Sequence, residues 1–288
     1  MQRAIDLATS LDLLAEKYHR PDALDMDPLS IPLAYSDPWD RELAAWVAAH
    51  LAYGRVAPML KAIRRALEPM NPSPAAWLRA TPQPAARKAL EAALQGWVWR
   101  FHTCFDLVEW ILVWKRLDKA TGFGGIEPHV LPEPGGSADA ALSALIQALR
   151  RELPPSRGTR FSLPDPLEGA ACKRWRMFFR WMVRTQWPDL GQWQRYPKAA
   201  LIIPLDTHVA RVAGLVGLTT RTTPDGRMAQ EITDALKALD PLDPLRFDFA
   251  LSHLGILGDC PGLRQLPGCA PCPLVGLCGV GVTKRKTP

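Results

Sequence analysis

The sequence has no uninterrupted apolar stretch long enough to cross a bilayer, and residues 1–20 form an acid-bearing amphipathic pattern rather than a signal peptide. We therefore expect a cytoplasmic protein without a membrane segment. Thiols stay reduced in that compartment, which argues against disulfides among the six cysteines. Alternating β-branched residues are also scarce, and the one strand-like piece, "ALIIPL", is too short and isolated to imply a sheet.

Leucine, alanine and proline are abundant. With 288 residues, 48% of them hydrophobic, the chain can bury one large core or two smaller ones. Its 28 prolines predict short helices joined by firm turns. Apolar residues recur at helical spacing, with Asp37 as the N-cap of one helix and Ser137 at the start of another. We predict an all-α protein with helices at 38–53, 56–67, 83–95, 104–118, 138–153, 171–185, 207–217, 228–238 and 245–257.

The charge balance is mildly basic. The formal net charge is +6, and the sequence pI is near 9.1. This excess is compatible with a nucleic-acid partner but does not establish one. The C-terminal residues Lys284, Arg285 and Lys286 either reach a DNA backbone or form a solubilising end.

Most of the cysteines are clustered near the C-terminus. Four of the six fall within 19 residues, in the pattern C-x8-C-x2-C-x5-C: Cys260, Cys269, Cys272 and Cys278. Thiolates gathered this closely in a reducing compartment usually bind metal. Zinc sites commonly use two separated C-x2-C pairs, whereas one such pair is present here between two single cysteines. The spacing favours a [4Fe–4S] cluster held by four thiolates, with zinc as the alternative.

The segments just upstream give the cysteines a context. The stretch "FDFALSHLGILGDC" leads a helix into Cys260, and "PLDTHVARVAGLVGL" lies some fifty residues earlier. Over roughly residues 165–280 this arrangement resembles the helix–hairpin–helix DNA glycosylases of the endonuclease III family. Their cysteine spacing is C-x6-C-x2-C-x5-C, and their catalytic aspartate lies in a "VDTH"-type sequence, which Asp206-Thr207-His208 matches. The N-terminal half resembles an uncharacterised bacterial branch of the same superfamily.

The resemblance implies a two-lobed all-α glycosylase fold with a C-terminal [4Fe–4S] cluster loop. It also implies a chemistry, because cleavage of an N-glycosidic bond builds positive charge on the deoxyribose that a fixed carboxylate stabilises. Asp206 takes that role by resemblance, and it is also placed to cap a helix. The cluster is expected to make the loop rigid beside the DNA-binding surface and not to act in bond cleavage.

The sequence departs from the family pattern at the lysine. No "LPGVG"-type hairpin stands just ahead of Asp206, and the nearest hairpin candidate, "PLEGAACKRW", places Lys173 thirty-three residues before it. That separation is similar to the one in archaeal 8-oxoguanine glycosylases. An amine nucleophile would form a Schiff base with the sugar and add lyase activity. Lys173 is the predicted nucleophile, Lys198 is the rival, and a water molecule directed by Asp206 is the third alternative.

The stretch "KRWRMFFRWMVR", which begins at Lys173 within the predicted helix 171–185, is dense in arginine. Arg176, Arg180 and Arg184 are four residues apart and share one face of the helix. Contacts to DNA phosphates are the functional interpretation of these three and Arg174, and a solvated basic face is the structural one. His208 would either touch phosphate or only cap a helix. The flat side chains that could stack an extruded base are Trp39, Phe101, Trp175, Phe178 and Trp181.

We predict an enzyme that excises a damaged base, such as the oxidised purine 8-oxoguanine, from double-stranded DNA, with AP lyase activity. The expected organisation is an N-terminal helical region (1–120), a linker and helix (121–165), a helix–hairpin–helix-like catalytic region (166–245) and a C-terminal helix with cluster loop and basic tail (246–288). The protein is expected to be a nucleoid-associated monomer with no membrane partner. Two alternatives stay open: a non-catalytic iron–sulfur protein that binds distorted DNA, and a zinc-stapled helical interaction module.

Overall fold

The computed structural model describes residues 2–260 and 269–279, and it is mostly helical. Helices account for 61% of the residues and strands for 1%, which confirms the predicted all-α class. The helices within the described residues are α1 (Gln2–Tyr18), α2 (Pro38–Leu51), α3 (Val56–Leu67), α4 (Pro74–Ala80), α5 (Gln83–Ala93), α6 (Cys104–Ala120), α7 (Ala138–Glu152), α8 (Arg157–Ser162), α9 (Lys173–Val183), α10 (Thr207–Val216), α11 (Gly226–Lys237) and α12 (Asp248–Ile256).

Polar side chains fix where several helices begin. Asp37 accepts hydrogen bonds from the backbone N–H groups of Trp39 and Asp40 and caps α2 as predicted. Ser137 caps α7 through the N–H of Ala140, which confirms the second predicted start. These caps satisfy amides that the first helical turn leaves without a partner.

Two short helices and one short hairpin of two strands were not predicted from the sequence. Helices α4 and α8 span only seven and six residues, too few for a periodic apolar pattern to register. Strands β1 (Val98–Trp99) and β2 (His102–Thr103) pair as an antiparallel hairpin, with Trp99 opposite His102. The strand-like "ALIIPL" piece is not a strand: the N–H of Ile203 donates to the side-chain oxygen of Thr233 rather than to a neighbouring strand.

The chain divides into two compact units. The first comprises residues 1–23, 169–176 and 198–288, and the second comprises residues 24–168 and 177–197. Within the first unit, α12 packs against both α1 and α10. Within the second, α2 packs against α3, α4 and α6. Residues 166–245, predicted as one catalytic region, are therefore shared between the two units.

The core of the second unit is rich in tryptophan and contains a buried acid. Trp46 stacks on Trp110 with ring centroids 4.5 Å apart. The carboxylate of Glu42 accepts hydrogen bonds from three N–H groups, those of the Trp114 ring, the Trp193 ring and the Ile126 backbone. Burial raises the pKa of Glu42 to about 7, although these donors favour the charged form.

No helix in the described part of the chain has the length and apolar character needed to cross a membrane.

Candidate active site and metal centre

Lys173 and Asp206 face each other within the first unit. Asp206 is the N-cap of α10, where its Oδ1 accepts hydrogen bonds from the backbone N–H groups of His208 and Val209 at 2.9 and 2.8 Å. Its Oδ2 lies 3.5 Å from the Nζ atom of Lys173, the first residue of α9. The Lys173 side chain is 36% exposed and that of Asp206 is 14% exposed, so solvent reaches the pair.

The turn ahead of Lys173 is held in place by contacts on both sides. Gly169 adopts a positive φ of 89°, and its carbonyl accepts a hydrogen bond from the N–H of Gly226 at 2.9 Å. A Cβ atom on Gly226 would lie 3.0 Å from the carbonyl oxygen of Ala170, so a glycine suits this close approach. The side chain of Arg176 bonds back to the carbonyl of Ala171 at 2.8 Å. These contacts fix the position at which α9 begins and therefore the position of Lys173.

The rival lysine has a different acidic partner. The Nζ atom of Lys198 lies 3.8 Å from Oδ2 of Asp243, on the segment between α11 and α12. Of the two candidate nucleophiles, the structure brings Lys173 to Asp206 and places Lys198 beside another carboxylate.

His208 packs against α12. A Cβ atom placed on Gly255 would lie within 2.4 Å of the His208 ring nitrogen Nδ1, so the ring occupies the space that a larger residue at 255 would fill. The ring is half-buried. This packing gives His208 a structural role at the α10–α12 contact, and its predicted contact with phosphate stays a prediction.

The predicted exposed arginine stripe is wrong. Arg174, Arg176, Arg180 and Arg184 are all buried, with at most 8% of each residue exposed. In the second unit, Nε of Arg180 lies 3.1 Å from Oδ1 of Asp189, and Arg184 bonds to the other carboxylate oxygen.

The segment after α9 explains this burial. Its backbone returns to the helix, with the N–H of Leu190 bonded to the carbonyl of Trp181 and the N–H of Trp193 bonded to that of Met182. This return places Asp189 beside Arg180 and Arg184. Since Arg180 and Arg184 are paired inside the protein, they cannot reach a phosphate without unpacking, which contradicts their predicted contacts with DNA.

The candidate stacking residues fall into two groups. Trp175, Phe178 and Trp181 are buried in the core. Trp39 and Phe101 are half-buried, and each has an arginine over its ring: Arg79 lies 4.5 Å from the Trp39 centroid, and Arg157 lies 4.2 Å from that of Phe101.

The four clustered cysteines line one cavity in the first unit. Its volume is about 30 Å³, and the rest of its lining is aliphatic except for Asp259: Val212, Leu215, Val216, Leu254, Leu274 and Val275. Burial raises the pKa of the Cys272 thiol, and the neighbouring thiols of Cys260, Cys269 and Cys278 raise it further. Among the described residues, no group of three or more His, Cys, Asp or Glu side chains is placed to hold a metal ion.

The first cysteine is anchored by polar contacts from two helices. Its neighbour Asp259 accepts hydrogen bonds from the Tyr18 hydroxyl at 2.7 Å and from the Lys17 amine at 2.8 Å. The carbonyl of Cys260 accepts a hydrogen bond from Arg211 of α10 at 3.2 Å. Helix α10 therefore carries Asp206 at its N-terminus and contacts the cysteine region farther along.

The remaining predicted contacts lie at the C-terminus. Lys284, Arg285 and Lys286 fall outside the described residues. Of the two cysteines outside the cluster, Cys172 is buried, whereas Cys104 is half-buried at the start of α6.

Comparison with known proteins identifies the family. A family described as "Protein of unknown function (DUF2400)" matches residues 27–257. The chain belongs to this family. No curated protein and no solved structure matches the chain. The family match contains Lys173 and Asp206 and ends before Cys260, so the cysteine loop lies beyond the matched region.

Proposed function

We propose that this DUF2400 protein is a DNA repair glycosylase with AP lyase activity, in which Lys173 is the nucleophile and Asp206 stabilises the transition state. The observation that carries the proposal is the 3.5 Å separation of Lys173 Nζ and Asp206 Oδ2 at a site open to solvent. An amine and a carboxylate at this spacing are the two groups that the bifunctional reaction requires.

The two oxygens of Asp206 have different tasks in this proposal. Oδ1 is bound to the amides of α10, which fixes the carboxylate in one orientation. Oδ2 faces the amine and is placed to accept its proton, because only the uncharged amine is a nucleophile. Once that proton passes to the departing base, the restored carboxylate charge stabilises the positive charge that develops on the sugar.

The covalent step conserves atoms and charge. Lys173 Nζ, after transferring a proton to Asp206, attacks C1′ as the N-glycosidic bond breaks. The bonding electrons leave with the base, which takes up the proton held by Asp206. A proton then moves from the attached nitrogen to the ring oxygen O4′ as the C1′–O4′ bond breaks, and the nitrogen lone pair forms the C=N bond of the Schiff base, which precedes cleavage of the DNA strand.

The four cysteines are suited to a [4Fe–4S] cluster. Each iron of a cubane takes one thiolate, so the four sulfurs lie around a cluster rather than around one point. Zinc, which takes four sulfurs about 2.3 Å from a single ion, is the alternative for the same four thiolates. The observation in favour is that all four cysteines line one cavity, whose other walls are largely aliphatic. Cys260, Cys269, Cys272 and Cys278 would hold it, and it would supply a cross-link that makes the loop rigid.

The proposed substrate is double-stranded DNA with a damaged base, an oxidised purine such as 8-oxoguanine being the first choice. This choice rests on the thirty-three residues between Lys173 and Asp206, a separation similar to that of the archaeal 8-oxoguanine glycosylases. The mildly basic charge of the chain supports a polyanionic partner.

An excision assay on duplexes that each carry one lesion tests the proposal. We expect release of one class of damaged base by the wild type and a much slower release by Asp206→Asn. Asp37→Asn is the matched control, because Asp37 also caps a helix and lies outside the proposed site. Binding of DNA without release of any lesion would instead favour the non-catalytic binding protein, and a colourless, zinc-containing protein would favour the zinc-stapled module.

A further inference from the structure

A separate cleft of about 860 Å³ lies in the second unit, among residues 30–72. Small-molecule sites typically occupy about 300–1,000 Å³, so this cleft has the size of a ligand site. One wall is the segment from Ser30 to Tyr35, and the other is the end of α3 with the turn that follows it, up to Pro72. The cleft shares no residue with the Lys173–Asp206 pair or with the cysteine cavity.

The wall formed by α3 is cationic. Lys61, Arg64 and Arg65 are spaced three and four residues apart, so they share a face of the helix, and all three line the cleft. Their side chains are exposed, and none forms an ion pair with another described residue. Glu68 contributes one negative charge to the lining, which leaves an excess of cations.

Polar groups at the junction of the two walls add a hydrogen-bond donor. The Tyr35 hydroxyl donates to Oδ1 of Asn71 at 2.8 Å and so joins the walls. Because Oδ1 accepts this bond, the Asn71 amide nitrogen is left as a donor, with no acceptor among the described residues. The Arg41 side chain donates to the carbonyl of Tyr35 at 2.6 Å and holds this residue in place. The polar groups of the cleft are therefore suited to a ligand rich in acceptors.

The rest of the lining is apolar. Ile31, Ala34, Leu67 and Pro72 contribute aliphatic surface beside the Tyr35 ring. An inorganic anion would leave this surface in water, whereas an organic phosphate covers it and also neutralises the cations. We infer that the cleft binds an organic phosphate about the size of a nucleotide. Its phosphate contacts Lys61, Arg64 and Arg65, and its organic moiety packs against Tyr35 and Leu67.

Calorimetric titration of the full chain tests this inference. The probes are a nucleoside 5′-monophosphate, the matching nucleoside without phosphate, and a short single-stranded oligonucleotide. We expect the mononucleotide to bind and the nucleoside not to bind. The triple variant Lys61→Gln/Arg64→Gln/Arg65→Gln should bind about tenfold more weakly, because three exposed charge contacts are lost.

A second triple variant, Lys119→Gln/Arg151→Gln/Arg160→Gln, is the matched control. It removes the same charge from exposed positions of the second unit that do not line the cleft, and it should bind like the wild type. A further outcome is that the oligonucleotide alone binds and that the first triple variant loses this binding. This result would assign the three cationic contacts to the phosphates of a nucleic-acid strand and would contradict a ligand of mononucleotide size. The inference is overturned if no phosphorylated probe binds, or if both triple variants lose affinity equally.

Discussion

Two carboxylates lie beside cations of helix α9, and they differ in how fully they are satisfied. Asp189 has a fully buried side chain whose two oxygens bond to Arg180 and Arg184. Asp206 gives one oxygen to the amides of α10, and its other oxygen lies 3.5 Å from a lysine that is 36% exposed. The charges of Asp189 and its two arginines are buried and paired within the protein, whereas the pair of Asp206 and Lys173 remains accessible to another molecule.

This difference shows that proximity of opposite charges does not by itself mark a functional site. A buried pair that makes all its hydrogen bonds is structural, and removing one partner leaves an uncompensated charge. A partly exposed pair, in which one carboxylate oxygen contacts a solvent-accessible amine, can change partners when a substrate arrives. Substitutions at Asp189 should therefore act on stability, and those at Asp206 should act on chemistry.

The largest expected effect is that of Asp189→Asn on stability. The substitution leaves Arg180 and Arg184 buried without a negative charge, and we expect the free energy of unfolding to fall by about 3–5 kcal/mol. Denaturant unfolding monitored by tryptophan fluorescence measures this free energy. Glu168→Gln, which removes a solvent-exposed partner of Arg150, should leave the unfolding midpoint unchanged. Similar midpoints for the two variants would show that the buried pairs are not structural.

Asp206→Asn should slow catalysis and leave stability nearly unchanged. Asparagine caps helices about as well as aspartate, so the free energy of unfolding should change by less than about 0.5 kcal/mol. Excision should slow about 100-fold or more, because the charge that stabilises the transition state is lost. Single-turnover kinetics and denaturant unfolding of the same preparation separate the two effects. If Asp206→Asn were unstable but released the base at the wild-type rate per folded molecule, Asp206 would have a structural role and not a catalytic one.

Glu42 extends the comparison to a buried carboxylate that three N–H groups satisfy without an ion pair. Its pKa is raised by burial to about 7, so between the unfolded and folded pKa values the folded protein binds more protons than the unfolded chain. Stability from this group is therefore greatest at low pH and is lost as pH rises through 7. Between about pH 5 and pH 8 the free energy of unfolding of the wild type should fall by about 2 kcal/mol relative to that of Glu42→Gln. A difference between the two proteins that does not change with pH would contradict this.

If the four cysteines hold the proposed cluster, removal of its iron by a chelator should have a smaller effect. Helix α10 lines the cysteine cavity and begins at Asp206, so loss of the cluster should loosen its first turn. We expect hydrogen exchange at the amides of His208 and Val209 to quicken about tenfold. The amides of Leu190 and Trp193, beside Asp189, serve as the internal reference and should not change. Equal acceleration at both places would mean that the cluster does not act through α10.

The sequence predicted the helices well because their apolar periodicity and caps are local. Asp37 and Ser137 cap the helices where expected, whereas α4 and α8 are too short to show a period. The Lys173–Asp206 pair was expected through family resemblance, since residues thirty-three positions apart leave no local signal.

The arginine stripe was misjudged because its partner lies on the following segment. One signal was present: in "KRWRMFFRWMVR" apolar residues cover all of the helix surface except the narrow face that Arg176, Arg180 and Arg184 share, so little of this helix is left to face solvent. The cleft lined by Lys61, Arg64 and Arg65 gave no such signal. Its two walls are separated in the sequence by α2, and only folding joins Tyr35 to Asn71.

Borohydride trapping on a duplex that carries the excised lesion tests the central claim most directly, because it captures the Schiff base itself. We expect a covalent protein–DNA adduct with the wild type and with Lys198→Gln, whose lysine has Asp243 as its partner, and no adduct with Lys173→Gln. An adduct that persists in Lys173→Gln, or excision by the wild type without any trapped adduct, would contradict the assignment of Lys173 as the nucleophile.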